Sequence, residues 1–266
     1  MWPFTRKRVV DDDTAAWHVA NFAWLVRQFG GDRGLAHAKL VLPASGFFVA
    51  DNEEGHAFAV RIFDQVKAYC GMADWEVELV ADDNPLAEPA AVSAVMVAPQ
   101  KHALGTFGVA GNRIVISYVP VLLRRPDQLI ATLAHELAHY LLATAREPPP
   151  CEQDEIEFLT DLAAVYLGFG VFLANTRFRF EALHDGSMHG WRIGHSGYLP
   201  EADLIFALAL FIQTRSLDPE PALACLKPHL AAMLRRTLRD LANRTALFSP
   251  IHEAAAVERS RAPQGF

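Results

Sequence analysis

His135 and His139 stand four residues apart, with Glu136 beside the first, in the run His135-Glu136-Leu137-Ala138-His139. On an α-helix that spacing places both imidazoles on one face about one turn apart, so both reach a single metal ion. Glu136 then stands next to a water held by that ion and can take its proton. The flanks favour a helix: Leu129-Ile130-Ala131-Thr132-Leu133-Ala134 precede the run and Tyr140-Leu141-Leu142 follow it. A buried helix that merely carries two histidines is the alternative. A third ligand elsewhere in the chain would weigh against it.

One is available. After the helix-ending stretch Arg146-Glu147-Pro148-Pro149-Pro150, a second apolar-periodic segment runs over residues 154–168. It carries Glu157, 18 residues beyond His139 (157 − 139), and Asp161 one helical turn later. His135-Glu136-x-x-His139 is the arrangement of zinc metallopeptidases. With Glu157 and Asp161 added, roughly residues 105–170 resemble the gluzincin group, the thermolysin-like enzymes, in a compact form. The rest of the chain does not resemble the large domains of those enzymes.

The resemblance implies a zinc-dependent peptidase acting on a peptide or protein substrate. His135, His139 and Glu157 would bind zinc, Glu136 would be the general base, and Asp161 would hydrogen-bond a ligand histidine. Physical chemistry is compatible with each role. Two neutral imidazoles and one carboxylate leave a tetrahedral ion one open position. A carboxylate accepting the other ring N–H fixes the imidazole's tautomer and orientation. Residue types alone leave alternatives: Asp161 as the third ligand, Glu155 in place of Glu157, or a thiolate from Cys151. Glu155 and Glu157, two apart on a helix, point in different directions and cannot both serve. A second function class, a non-catalytic zinc-binding regulatory or interaction protein, also remains. Glu136 favours catalysis over it, because a structural site needs no base.

The elements that must position these groups read as follows. Residues 17–29 form a helix stopped by Gly30-Gly31. A second helix spans about 53–69, capped by Asp51 or Asn52 and followed by Gly71. Strands are expected at 75–80 and 91–97, and a hairpin at 106–118 turns at Ala110-Gly111-Asn112. A strand leading into the metal-site helix would put a sheet edge beside the cleft, where an extended peptide can pair. Phe178 and Phe180 alternate with Arg177 and Arg179, as in a short strand. The loop 184–198 is rich in glycine and donors, and His195 and Tyr198 are its candidates for stabilising an oxyanion. Helices follow over 200–214 and 221–243, interrupted near Pro228, and the tail after Pro250 reads as loosely held.

The fold class expected is α+β, a small sheet packed on the metal-site helix with further helices at both ends. Three segments compose it, 1–90, 91–175 and 176–266, as one compact domain. A net charge of −7 and a pI near 5.9 give no support to a nucleic-acid surface. Three widely spaced cysteines, with no C-x-x-C pair, point to the cytoplasm. No apolar run reaches the roughly 18 residues of a membrane span, the longest being broken at Gly168 and Gly170.

Overall fold

The computed structural model describes residues 8–30, 38–49, 52–82, 104–110, 113–184 and 198–261. Helix α1 (Asp12–Phe29) starts where the Asp11 side chain accepts the Thr14 amide hydrogen, and Gly30 closes it through a bond to Val26 O. Helix α2 (Gly55–Tyr69) begins at a left-handed glycine behind Glu54, with no side-chain cap. The cap expected from Asn52 is therefore not made, and Asp51 lies outside the described residues. Its far end does close on Gly71, at φ +70°. There the Met72 amide bonds Lys67 O and the Gly71 amide bonds Ala68 O.

Three strands, β1 (Val77–Ala81), β2 (Gly105–Ala110) and β3 (Arg113–Tyr118), form one sheet in the order β1-β3-β2. β2 and β3 are the expected hairpin, pairing Gly105 with Tyr118 and Ala110 with Arg113, and β1 runs parallel to β3. β1 starts two residues later than expected because a turn bonds the Trp75 amide to Met72 O. The strand expected at 91–97 lies outside the described residues.

Helix α3 (Pro126–Ala143) begins with proline in its first turn and is buried from Gln128 to His139. A helix buried on all faces belongs at the centre of a fold. Sheet strands β2 and β3, helix α2 and the two helices that follow α3 pack against it. Leu129, Leu133 and Leu137 are fully buried on it. Each contributes about 1.5–3 kcal/mol, and together they help offset the desolvation of the polar residues on the same helix.

Helix α4 (Ile156–Ala164) continues through a π-turn (Val165–Phe169) into α5 (Gly170–His184). Gly168 kinks the run at φ +104°. A side chain there would meet Lys39 O at 2.0 Å, and the Gly168 carbonyl accepts from the Val41 amide. Two expectations need correcting. The glycines do not end the helical run, and Gln153–Arg177 is long and apolar enough to cross a membrane by length and composition, with 83% of its apolar window buried inside the fold. Phe178 and Phe180 lie on α5 and not on a strand, because four alternating residues cannot override a helix already propagating.

Helix α6 (Glu201–Thr214) is buried from Leu204 to Ile212, and α7 (Glu220–Cys225) and α8 (Pro228–Ala242) are parted before Pro228, as expected. Up to residue 261 the tail is not loose. Helix α9 (Ser249–Arg261) packs on α1, burying Ile251 and Ala254 three residues apart on one face. One apolar cluster draws residues from all three sequence segments. The architecture is mostly helical with a small sheet, an α+β arrangement.

Candidate metal centre

Helices α3 and α4 bring three donor groups together. His135 and His139 project from α3 with ring centroids 4.8 Å apart, and Glu157 enters from the first turn of α4. Glu157 Oε2 lies 3.3 Å from His135 Nε2 and 3.4 Å from His139 Nε2. All three ligand atoms fall within 4.8 Å of one another, close enough to hold a metal ion. Metal–ligand bonds of about 2.0–2.1 Å in tetrahedral geometry separate ligand atoms by about 3.3–3.4 Å. Donor chemistry and spacing therefore both fit such an ion.

Each imidazole is oriented from behind. His135 Nδ1–H donates to Asp161 Oδ1 at 2.9 Å, and His139 Nδ1–H donates to Thr160 Oγ1 at 3.3 Å. The Thr160 hydroxyl itself donates to Ile156 O, which leaves its oxygen free to accept. Both Nε2 atoms are thereby turned toward Glu157, and a proton held at Nδ1 leaves Nε2 as the atom a metal would bind. Thr160 was not anticipated from sequence. Its signal was its place three residues after Glu157, on the same helical face.

The alternatives are accounted for by what else those residues do. Asp161 Oδ2 accepts the Leu199 amide at 2.8 Å, so both its oxygens face donors other than the three-atom cluster. Glu155 caps a short 3-10 turn by accepting the Glu152 amide. Cys151 is half-buried and stands outside the cluster. Burial pushes its thiol up to about 11, with Glu155, Glu152 and Asp154 adding to the effect, and that opposes thiolate ligation.

The electrostatics follow from these contacts. Burial would raise the Glu157 carboxyl, but hydrogen bonds from His135 and His139 outweigh it and hold it at about 2. Burial opposes charge on His135, yet Asp161 and Glu157 hold it well above the ordinary histidine range in the metal-free protein. Glu136 is pushed up, chiefly by burial, with His135 and His139 pulling the other way. It makes no hydrogen bond to the described residues and faces a cavity shared with His135, Asp161 and Tyr198.

Tyr198 comes to the site through the Leu199–Asp161 bond beside it. Its ring lies 5.2 Å from that of His135, and the Arg177 guanidinium lies 5.5 Å from its centroid while donating to the Tyr198 carbonyl. Burial, followed by the carboxylates of Glu136, Asp161 and Glu157, raises the phenol, so it stays protonated and able to donate. The other loop candidate, His195, lies outside the described residues. On the sheet side, Gly105 of β2 passes directly over the metal-site helix. A Cβ there would lie 2.7 Å from Thr132 Cγ2 and 3.1 Å from Glu136 Cγ. Phe107, two residues along β2, stacks over His139 and Tyr140, and Trp75 meets Tyr140 edge-on. No protein-family model, curated protein or solved structure matches the chain.

Proposed function

We propose that the protein is a zinc-dependent peptidase whose metal is held by His135, His139 and Glu157. The observation that carries this reading is Glu136. A buried carboxylate beside two metal-ligand histidines, facing a cavity and not itself a ligand, suits a base and has no purpose in a closed structural site. Bound zinc would supply a Lewis acid that polarises the scissile carbonyl and acidifies a water. Glu136 would take that water's proton as its oxygen bonds the carbonyl carbon, then deliver the proton to the amine as the C–N bond breaks. Tyr198 would donate its phenol hydrogen to the oxygen on which negative charge develops. Asp161 and Thr160 would keep the two imidazoles aimed.

The substrate in this reading is an extended peptide lying along β2. Among the described residues β2 pairs only with β3, and a peptide added along its other side would pair through backbone donors and acceptors. Gly105 fits this reading, because its missing side chain lets the β2 backbone itself lie against Glu136, which brings a peptide paired to β2 near the base.

The test compares zinc-loaded wild type with Glu136→Gln on a mixed peptide library read by mass spectrometry. Cleavage by wild type, with zinc retained but cleavage lost in Glu136→Gln, is the expected result. A zinc-loaded wild type that cleaves nothing would move the protein to the non-catalytic class.

A further inference from the structure

The peptide unit that joins Tyr198 to Leu199 is held at both ends by buried charges. Its amide hydrogen goes to Asp161 Oδ2 at 2.8 Å, and its carbonyl oxygen accepts from Arg177 Nη2 at 3.4 Å. Asp161 comes from α4 and Arg177 from α5, and the two are 4% and 5% exposed. A peptide group carries a dipole with its negative end at oxygen and its positive end at N–H. The cation therefore meets the negative end and the carboxylate the positive end. A flipped peptide would set its carbonyl against Asp161 and its N–H against Arg177, two repulsive contacts away from the screening of water. The same guanidinium lies 5.5 Å from the Tyr198 ring centroid, so it constrains the ring as well as the backbone. Leu199, itself buried, precedes Pro200, which disfavours helical backbone at Leu199 and narrows the alternatives further.

We propose that Arg177 is the positioning residue for Tyr198: it fixes the orientation of the 198–199 peptide and so aims the phenol at the metal site. The role of the phenol as oxyanion donor rests on the peptidase reading; the hold on the peptide does not. Arg177 and Asp161 act on different parts of the site. Asp161 also accepts from His135, so its loss reaches a metal ligand directly. Arg177 acts through Tyr198, and its loss leaves the His135–Asp161 bond and the three metal donors in place. A lysine would keep the charge and a donor for the carbonyl. It lacks the planar fork, so it serves backbone and ring together less well.

Acetohydroxamate, which chelates zinc and presents an anionic oxygen, tests this without turnover. In calorimetric titrations of zinc-loaded protein, Tyr198→Phe should bind it about 10–100-fold more weakly than wild type, the worth of a hydrogen bond to a charged group. At equal zinc content Arg177→Met should lose about tenfold and Arg177→Lys about threefold. In the Tyr198→Phe background both Arg177 substitutions should cost less than about twofold, because a residue that acts through the phenol then has nothing to aim. A general structural role would instead add its loss to that of Tyr198→Phe. In the metal-free protein, hydrogen exchange at the Leu199 amide should be faster in Arg177→Met than in wild type. Additive losses, wild-type affinity in Arg177→Met, unchanged affinity in Tyr198→Phe, equal exchange at Leu199, or no binding to wild type would overturn the proposal. Should Arg177→Met fail to fold, Arg177→Lys completes the same cycle and is judged by the same outcomes. Non-additive losses with no peptide cleaved keep the positioning role and remove the peptidase reading; cleaved peptides with additive losses do the reverse.

Discussion

Asp161→Asn probes the joint on which the site hangs. Asp161 accepts from His135 Nδ1 at 2.9 Å with one oxygen and from the Leu199 amide at 2.8 Å with the other. An asparagine keeps only one acceptor. If its oxygen serves Leu199, its NH₂ faces His135 Nδ1 and forces the proton onto Nε2, the atom that must bind the metal. If its oxygen serves His135, two donors confront each other at Leu199 and the Tyr198 segment loosens. Loss of one such outer partner typically lowers metal affinity about 10–100-fold, which is about 1.4–2.7 kcal/mol. Competition with a chromogenic chelator measures the affinity. Hydrogen exchange at the Leu199 amide reports which of the two arrangements forms. Affinity within twofold of wild type would refute the reasoning, and a loss exceeding that of Glu157→Gln would make Asp161 a ligand.

Four further outcomes follow from the same geometry. Tyr198→Phe should keep zinc and lower kcat by about 10²–10³-fold, the worth of one oxyanion donor, on any peptide the wild type cleaves; an unchanged kcat removes Tyr198 from the mechanism. Asp161 and Glu157 favour the protonated form of His135 in the metal-free protein, and zinc must displace that proton. Titrations in buffers of different ionisation enthalpy should therefore show proton release, and zinc affinity should fall as pH is lowered; pH-independent affinity contradicts this. Gly105→Ala places a Cβ 2.7 Å from Thr132 and 2.9 Å from Ser117 O, so denaturant unfolding should show a loss of about 1–3 kcal/mol. Gly168→Ala meets both a left-handed φ and the Lys39 carbonyl at 2.0 Å, and should destabilise by at least as much.

Much of the site was legible because its signals are local. The spacing of His135 and His139 needs only helical periodicity, and Glu157 needs only a second helix after the prolines. What could not be read depends on distant residues meeting. Tyr198 reaches His135 only because the Leu199 amide finds Asp161, 38 residues away. In the fold, the hairpin and α6 were carried by strong alternation and apolar runs. The segment around Phe178 was misread because four alternating residues suit a strand as well as a helix, and only continuity with α4 and the π-turn decides. The tail was misread because its short Ile251–Ala254 face acquires meaning only against α1.

The proposed site depends on three side chains sharing one ion. Anomalous diffraction at the zinc absorption edge, from crystals of the zinc-loaded protein, tests this most directly. One strong peak is expected within about 2.0–2.2 Å of His135 Nε2, His139 Nε2 and a Glu157 carboxylate oxygen, and absent at that place in His139→Ala. A zinc-loaded crystal with no peak between those three residues, or with its peak on other ligands, would contradict it.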